Sequence, residues 1–204
     1  MGFILAGGKS SRMGTDKAFL DFDGETLLDR ALGAMGAVCD RVAIVGDPAK
    51  FTKYASAETG SKSGLRYQRA VPDTFPECGP LGGIHAALTH SDAELNLILA
   101  VDMPFVSPQL LAFLFTAAEA GDAVITVPRS GKGLQPLCAV YRREFSAVAE
   151  RALRAGKYKV DAAFSKVSIR IIEESELEEA GFSERSFFNV NTPQDIAAAE
   201  HRSP

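Results

Sequence analysis

The sequence predicts an α/β fold: a three-layer α/β/α sandwich around a mostly parallel central sheet. Three observations carry that prediction. Short, predominantly apolar runs recur at residues 3–6, 41–45, 95–101 and 123–127, the pattern of strands buried on both faces. The segments between them place apolar residues at helical spacing, as crossover helices require. No internal repeat, low-complexity tract or long linker divides the 204 residues, so a single domain over 1–204 is expected.

The elements follow in order. Phe3-Ile4-Leu5-Ala6 reads as a buried strand that stops at Gly7-Gly8. Residues 18–22 are a short apolar piece and Asp23-Gly24 is a turn; Thr26, with Asp29 three residues on, caps a helix to about Met35. Arg41-Val42-Ala43-Ile44-Val45 is a second strand, ended by Gly46-Asp47-Pro48. The polar stretch 50–63 predicts a helix and a loop, and 65–68 a short third strand. Pro80 after Gly79 opens a helix over 81–89. The run 95–101 is the clearest central strand and stops at Asp102-Met103-Pro104. Ser107-Pro108 caps a helix through 118. Strands at 123–127 and 136–141, a helix at 144–154, a strand at 168–172 and a last helix over 193–200 complete the prediction. In open sheets of this class ligands bind at the carboxyl ends of the strands. Gly7, Gly46 and Asp102 fall at such ends.

Composition narrows the function classes. A formal net charge of −4 argues against a general nucleic-acid or anionic-membrane binder. Cys39, Cys78 and Cys138 are far apart and form no C-x-x-C pair, which points to reduced thiols in the cytosol. The apolar run before Gly7 is too short for a signal-peptide core, and no segment approaches a membrane span. A soluble, cytoplasmic protein is expected.

The chemistry concentrates after the first strand. Gly7 and Gly8 allow a sharp turn and close backbone approach to a ligand, while Lys9, Arg12 and Lys17 gather positive charge around the turn. Such a loop suits a polyphosphate. Gly8-Lys9-Ser10 matches the end of a Walker A loop, but Phe3 stands where its first glycine is required. The dinucleotide pattern G-x-G-x-x-G is also absent. Asp102, directly after an apolar strand, suits a Mg²⁺ ligand that shares the ion with phosphate oxygens, or else a loop cap. Gly79-Pro80-Leu81-Gly82-Gly83 permits close approach to a flat group such as a purine, or is a plain capping turn; Asp73 reads a base edge or starts a turn. In Asn189-Val190-Asn191-Thr192-Pro193 an N-cap accounts for Thr192 and Pro193 but not for the two asparagines. His85, His90 and His201 show no metal-ligand spacing, and the acidic run 173–179 reads as a solvated helix face.

Together these motifs resemble one family. Leu-Ala-Gly-Gly-x-x-x-Arg-Met-Gly-x-Asp-Lys at 5–17, Gly-Pro-Leu-x-Gly at 79–83, Asp-Met-Pro at 102–104, Gln-Pro at 135–136 and Asn-Val-Asn-Thr-Pro at 189–193 are similar to the molybdenum cofactor guanylyltransferases (MobA). The resemblance runs nearly end to end. The first motif alone marks the wider nucleotidyltransferase group; its Leu-Ala-Gly-Gly form beside Gly-Pro-Leu-Gly-Gly resembles the guanylyl branch, where a cytidylyl enzyme more typically has Ala-Ala-Gly.

The resemblance implies a Rossmann-like nucleotidyltransferase fold and Mg²⁺-dependent transfer of GMP from GTP to molybdopterin, with release of pyrophosphate. It implies that Leu5, Ala6 and Gly7 line the nucleotide with backbone groups, that Gly8, Gly79, Pro80, Leu81 and Gly83 add to the same pocket, and that Asp73 lies on the GTP side. Lys17 and Arg12 would stabilise the pyrophosphate leaving group and Asp102 would bind the metal. Asn189 and Asn191, with the strand at 136–141, would face the pterin or complete the metal site. One departure stands out: many relatives carry an asparagine after the second strand, where this chain has Gly46-Asp47. Two other readings keep these motifs, a cytidylyl- or sugar-phosphate nucleotidyltransferase and a non-catalytic nucleotide or pterin-cofactor binder.

Overall fold

The computed structural model describes residues 1–7, 16–52, 66–131, 133–190 and 195. The chain runs β1 (Gly2–Leu5), a 3₁₀ turn (Lys17–Phe19), β2 (Asp21–Phe22), β3 (Glu25–Thr26), α1 (Leu27–Gly36), β4 (Arg41–Val45) and a 3₁₀ turn (Pro48–Phe51). It continues with β5 (Arg66–Val71), α2 (Pro80–His90), β6 (Leu95–Ala100), α3 (Pro108–Glu119), β7 (Ile125–Ser130), β8 (Gly133–Leu134) and β9 (Cys138–Arg142). Last come α4 (Phe145–Arg154), α5 (Val160–Phe164), β10 (Ile169–Ile172), α6 (Glu174–Glu179) and a 3₁₀ turn (Glu184–Phe187).

The main sheet has the order β10-β7-β9-β6-β1-β4-β5, with β8 paired to β7. β1 pairs in parallel with both β4 and β6, β5 with β4, and β10 with β7; β9 runs antiparallel between β6 and β7. Successive residues of a strand point to opposite faces, and the central strands divide accordingly. Ile4, Val42, Ile44, Leu97 and Leu99 face one core with α1, α3 and α6, whereas Phe3, Ala43, Val45 and Ile98 face another with α2, α4 and α5. The observed architecture is the expected mostly parallel α/β/α sandwich. No helix among the described residues is long and apolar enough to cross a membrane.

Most elements lie where the pattern placed them, because caps and breakers bound them. Thr26 Oγ1 accepts from the Asp29 N–H at 3.1 Å, and Ser107 Oγ from the Leu110 N–H at 3.2 Å. Three differences have physical causes. β7 lies downstream of the expected 123–127 and carries Pro128, tolerated because β9 pairs only with Ile125 and Thr126. The expected strand at 136–141 is preceded by the short β8, which makes a hairpin with β7. α5 is too short for its periodicity to be read. The acidic run forms α6 as expected, with Leu177 as its buried anchor. The expected helix at 193–200, and most of the one at 50–63, lie outside the described residues.

Candidate active site

Three adjacent parallel strands end together. Leu5 of β1 is in register with Val45 of β4 and Ala100 of β6. Past the strand ends the ladder continues for one step: Ala6 N–H donates to Val45 O at 3.0 Å, and Val101 N–H to Leu5 O at 3.1 Å. The chain leaves β1 toward β4 on one side and later returns to its other side as β6, so a crevice opens at this switch point.

The crevice is a cavity of about 830 Å³. Leu5, Ala6 and Gly7 line it from β1; Gly46, Asp47, Pro48 and Lys50 from beyond β4; and Asp73, Gly79, Pro80 and Gly83 from the approach to α2. Close packing explains Gly46 in the wall and Gly82 behind it. A Cβ on Gly46 would stand 2.9 Å from Phe51 Cε2, and one on Gly82 would stand 2.8 Å from the Phe75 carbonyl oxygen. Gly79 has φ +69°, a conformation other residues resist, and gives α2 no side-chain cap, so the helix start faces the cavity with backbone alone. Asp73 accepts from the Phe75 N–H at 2.9 Å; burial nonetheless pushes its carboxyl above the ordinary value.

Beside this cavity Lys17 Nζ lies 3.5 Å from Asp102 Oδ2, each side chain 23% exposed. Lys17 is held from below. Asp16 caps its 3₁₀ turn through the Ala18 N–H, Ala18 is fully buried, and Phe19 packs against Phe51 with ring centroids 5.9 Å apart. Asp16 also takes a 2.8 Å ion pair from Lys50, tying the turn to the cavity wall. Burial raises the Asp102 carboxyl above its ordinary value, and Lys17 pulls it partly back. Among the described residues Lys17 is the cation paired with this partly buried carboxylate, which would gain from a second positive charge. Among the described residues no three His, Cys, Asp or Glu side chains group to hold a metal unaided. One hard oxygen donor therefore suits Mg²⁺, which takes most of its ligands from phosphate and water.

The structure sorts the expected site residues. Leu5, Ala6, Gly7, Asp73, Gly79, Pro80 and Gly83 line one cavity, and Lys17 and Asp102 form the pair next to the strand ends. Leu81 is fully buried against the sheet and does not line the cavity; its side chain belongs to the core, for which the first turn of α2 supplies an inward face. Asn189 is exposed and lies one residue before Val190, whose N–H donates to the Asp102 carbonyl at 2.8 Å. Gly8, Arg12 and Asn191 lie outside the described residues. Gln135 holds the β7–β8 hairpin, donating to Ser130 Oγ at 2.8 Å and the Gly133 carbonyl at 3.2 Å. Lys50 and Glu77 in the cavity wall are not singled out by the sequence, and Asp47 only as part of the Gly46-Asp47 departure. Their signal was position alone, after a strand or before a helix N-terminus.

Comparison with known proteins bears on this geometry. A family model described as a MobA-like NTP transferase domain matches residues 2–168. A protein of Pelotomaculum thermopropionicum named as a probable molybdenum cofactor guanylyltransferase is 39% identical over 198 residues, covering 97% of this chain and 90% of its own. The molybdenum cofactor guanylyltransferase of Desulfosudis oleivorans is 34% identical over 201 residues, covering 98% and 93%. Among solved structures, molybdopterin-guanine dinucleotide biosynthesis protein A of Archaeoglobus fulgidus superposes with a TM-score of 0.80 at 26% identity, over 98% of this chain and 96% of that one. The 2-C-methyl-D-erythritol 4-phosphate cytidylyltransferase of Thermus thermophilus shares the fold, with a TM-score of 0.64 at 20% identity over 98% and 97%.

Proposed function

This chain belongs to the MobA-like NTP transferase family, and we propose that it transfers GMP from GTP to the terminal phosphate of molybdopterin, releasing pyrophosphate. The observation that carries this reading is the Lys17–Asp102 pair, with Asp102 just past β6, standing beside a nucleotide-sized cleft at the carboxyl ends of β1 and β4. Relatives named for this reaction cover almost the whole chain.

In this mechanism the cleft holds the nucleotide, with the backbone of Leu5, Ala6 and Gly7 along one side and Asp73, Gly79, Pro80 and Gly83 along the other. A phosphate oxygen of molybdopterin attacks the α-phosphorus in line. The bond from that phosphorus to the bridging oxygen breaks, and pyrophosphate departs with the electron pair. The attacking oxygen is already anionic at neutral pH, so no general base is needed and positioning dominates. Lys17, with Arg12 and the amides of Gly7 and Gly8, neutralises charge on the departing pyrophosphate. Asp102 would hold Mg²⁺, which when bound supplies charge stabilisation to phosphate oxygens. Asn189, next to Val190 whose N–H donates to the Asp102 carbonyl, and Asn191 would contact the pterin or complete the metal site. The partners in the cytoplasm are GTP, molybdopterin or its molybdenum-bearing form as acceptor, and transiently other proteins of cofactor biosynthesis; neither a nucleic acid nor a membrane takes part.

Pyrophosphate release with GTP, Mg²⁺ and molybdopterin, each omitted in turn, tests the proposal. Release should require all three, and CTP or ATP should support it poorly. Faster turnover with CTP would assign the cleft to a cytidylyl enzyme, and nucleotide binding without any release would make the protein a binder.

A further inference from the structure

A second cavity, about 400 Å³, lies where α2 meets α4 and shares no lining residue with the cleft. Its size suits a small molecule. Arg143 and Arg154 supply cations to its wall, and Thr89 and Ser146 supply hydroxyls. Glu150 lines it too, but Arg154 already meets that carboxylate through Nε at 2.9 Å and Nη2 at 2.7 Å. The wall is therefore net positive in a chain whose formal net charge is −4. Arg151, one helical turn beyond the lining residue Ala147, is exposed and extends the positive rim.

His85 adds an independent sign. It is only 6% exposed; Nε2 lies 3.4 Å from Thr89 Oγ1, while Nδ1 is buried with no hydrogen-bond partner. Buried polar atoms of native proteins nearly always have one. The Phe75 ring stands edge-on to this imidazole at 5.0 Å and beneath the Arg154 guanidinium at 6.0 Å. One segment also serves both cavities. Pro72, Asp73, Pro76 and Glu77 line the cleft, whereas Thr74 and Phe75 between them line the second cavity.

We propose that this second cavity binds a small organic phosphate, its phosphoryl group on Arg143, Arg154 and the two hydroxyls and its apolar body against Phe75 and Leu88, and that occupancy alters nucleotide affinity through Thr74 and Phe75. A phosphoryl group fits better than a single carboxylate, because two guanidinium groups and two hydroxyls offer more donors than one carboxylate engages. Binding at this cavity is independent of the reaction proposed above. Only the coupling rests on the cleft being the nucleotide site.

Phenyl phosphate is the probe, titrated into the full chain with and without GTP and followed by calorimetry and by the NMR signals of His85. Saturable binding that shifts the His85 imidazole is expected. Arg154→Gln should weaken it about tenfold or more, since it removes a charge-assisted contact. Ala147→Leu, on the exposed side of α4, should intrude on the cavity and weaken binding severalfold. Phenol should not bind, and saturating phenyl phosphate should change GTP affinity about fivefold or more in the wild type only. No saturable binding, or equal binding in Ala147→Leu, would overturn the site. Equal affinity for inorganic phosphate would overturn the apolar half of the ligand. Binding that leaves GTP affinity unchanged would overturn the coupling, whereas failure of GTP to bind at all would count against the cleft and leave the site standing.

Discussion

Burial raises the Asp102 carboxyl above its ordinary value, and this has a consequence for stability. Its folded pKa lies above the ordinary 3.8, with burial the larger cause and Lys17 the partial offset. Between those two values the folded state binds more protons than the unfolded one. Stability therefore falls as pH rises through that window and stays lowered above it. Asp102→Asn escapes the penalty. Its unliganded Tm at pH 7.5 should exceed that of the wild type, and the difference should shrink as the pH is lowered into the acid range. Turnover in the same variant should fall about a hundredfold or more, because a bound metal contributes several kcal/mol of charge stabilisation. Thermal scans at two pH values, beside pyrophosphate release, check both halves. A lower Tm for the variant at pH 7.5 would mean that attraction to Lys17 outweighs burial. Gly46 poses a different problem. Phe51 is only 1% exposed and packs on Phe19, so a Cβ arriving 2.9 Å from its ring has little room. Gly46→Ala should destabilise by about 1–3 kcal/mol in urea unfolding, and Gly46→Asn by more. Phe51 closes the space at Gly46 to a side chain, and Asp47 and Lys50 stand in the cleft wall beside it.

The element that most directly shapes the cleft is the first turn of α2. Gly82 lets the turn at Asp73 rest on the helix, since a Cβ there would meet the Phe75 carbonyl oxygen at 2.8 Å and both Asp73 carboxylate oxygens at 3.2 Å. Gly82→Ala should therefore move the cleft wall and raise KM for GTP on the order of tenfold, while the protein stays folded. Thr26→Ala makes the contrast. It removes the cap of α1, which does not line the cleft, and should cost about 1 kcal/mol in stability with kcat and KM unchanged. Steady-state kinetics and denaturant unfolding of the two variants separate these effects, and a kinetic defect confined to Thr26→Ala would refute the assignment. Elements of this kind were legible because their signals are local: Thr26 with Asp29, Ser107 with Pro108, and apolar runs stopped by glycine. The strand ends were legible too, and they put Gly7, Gly46 and Asp102 side by side. The Lys50–Asp16 pair was not, because it joins residues 34 apart that no periodicity connects. Nor was the core role of Leu81, since a motif does not say which of its side chains turns inward.

At the scale of the whole molecule, the cleft cannot form in part. Its walls come from the ends of β1 and β4 and the segment from β5 into α2, and Lys17 and Asp102 beside it are fixed by the 3₁₀ turn and by β6. These pieces sit on one continuous sheet, with a packed core on each face and central strands that contribute to both. Such an arrangement predicts that residues 1–204 unfold as one unit, and that a ligand in the cleft stabilises all of it. At a concentration one hundred times its Kd, GTP with Mg²⁺ should add about 2.7 kcal/mol to the stability. For a chain of this length that corresponds to a rise in Tm of roughly 5–10 °C. Calorimetry should then show a single transition that moves as a whole, with a smaller shift for CTP at the same concentration. Two transitions, only one of them moved by GTP, would mean that the sheet divides into units and that the cleft is confined to one of them. Omitting Mg²⁺ should shrink the shift in the wild type but leave that of Asp102→Asn unchanged, which would tie the ligand's stabilising effect to the same carboxylate proposed to hold the metal.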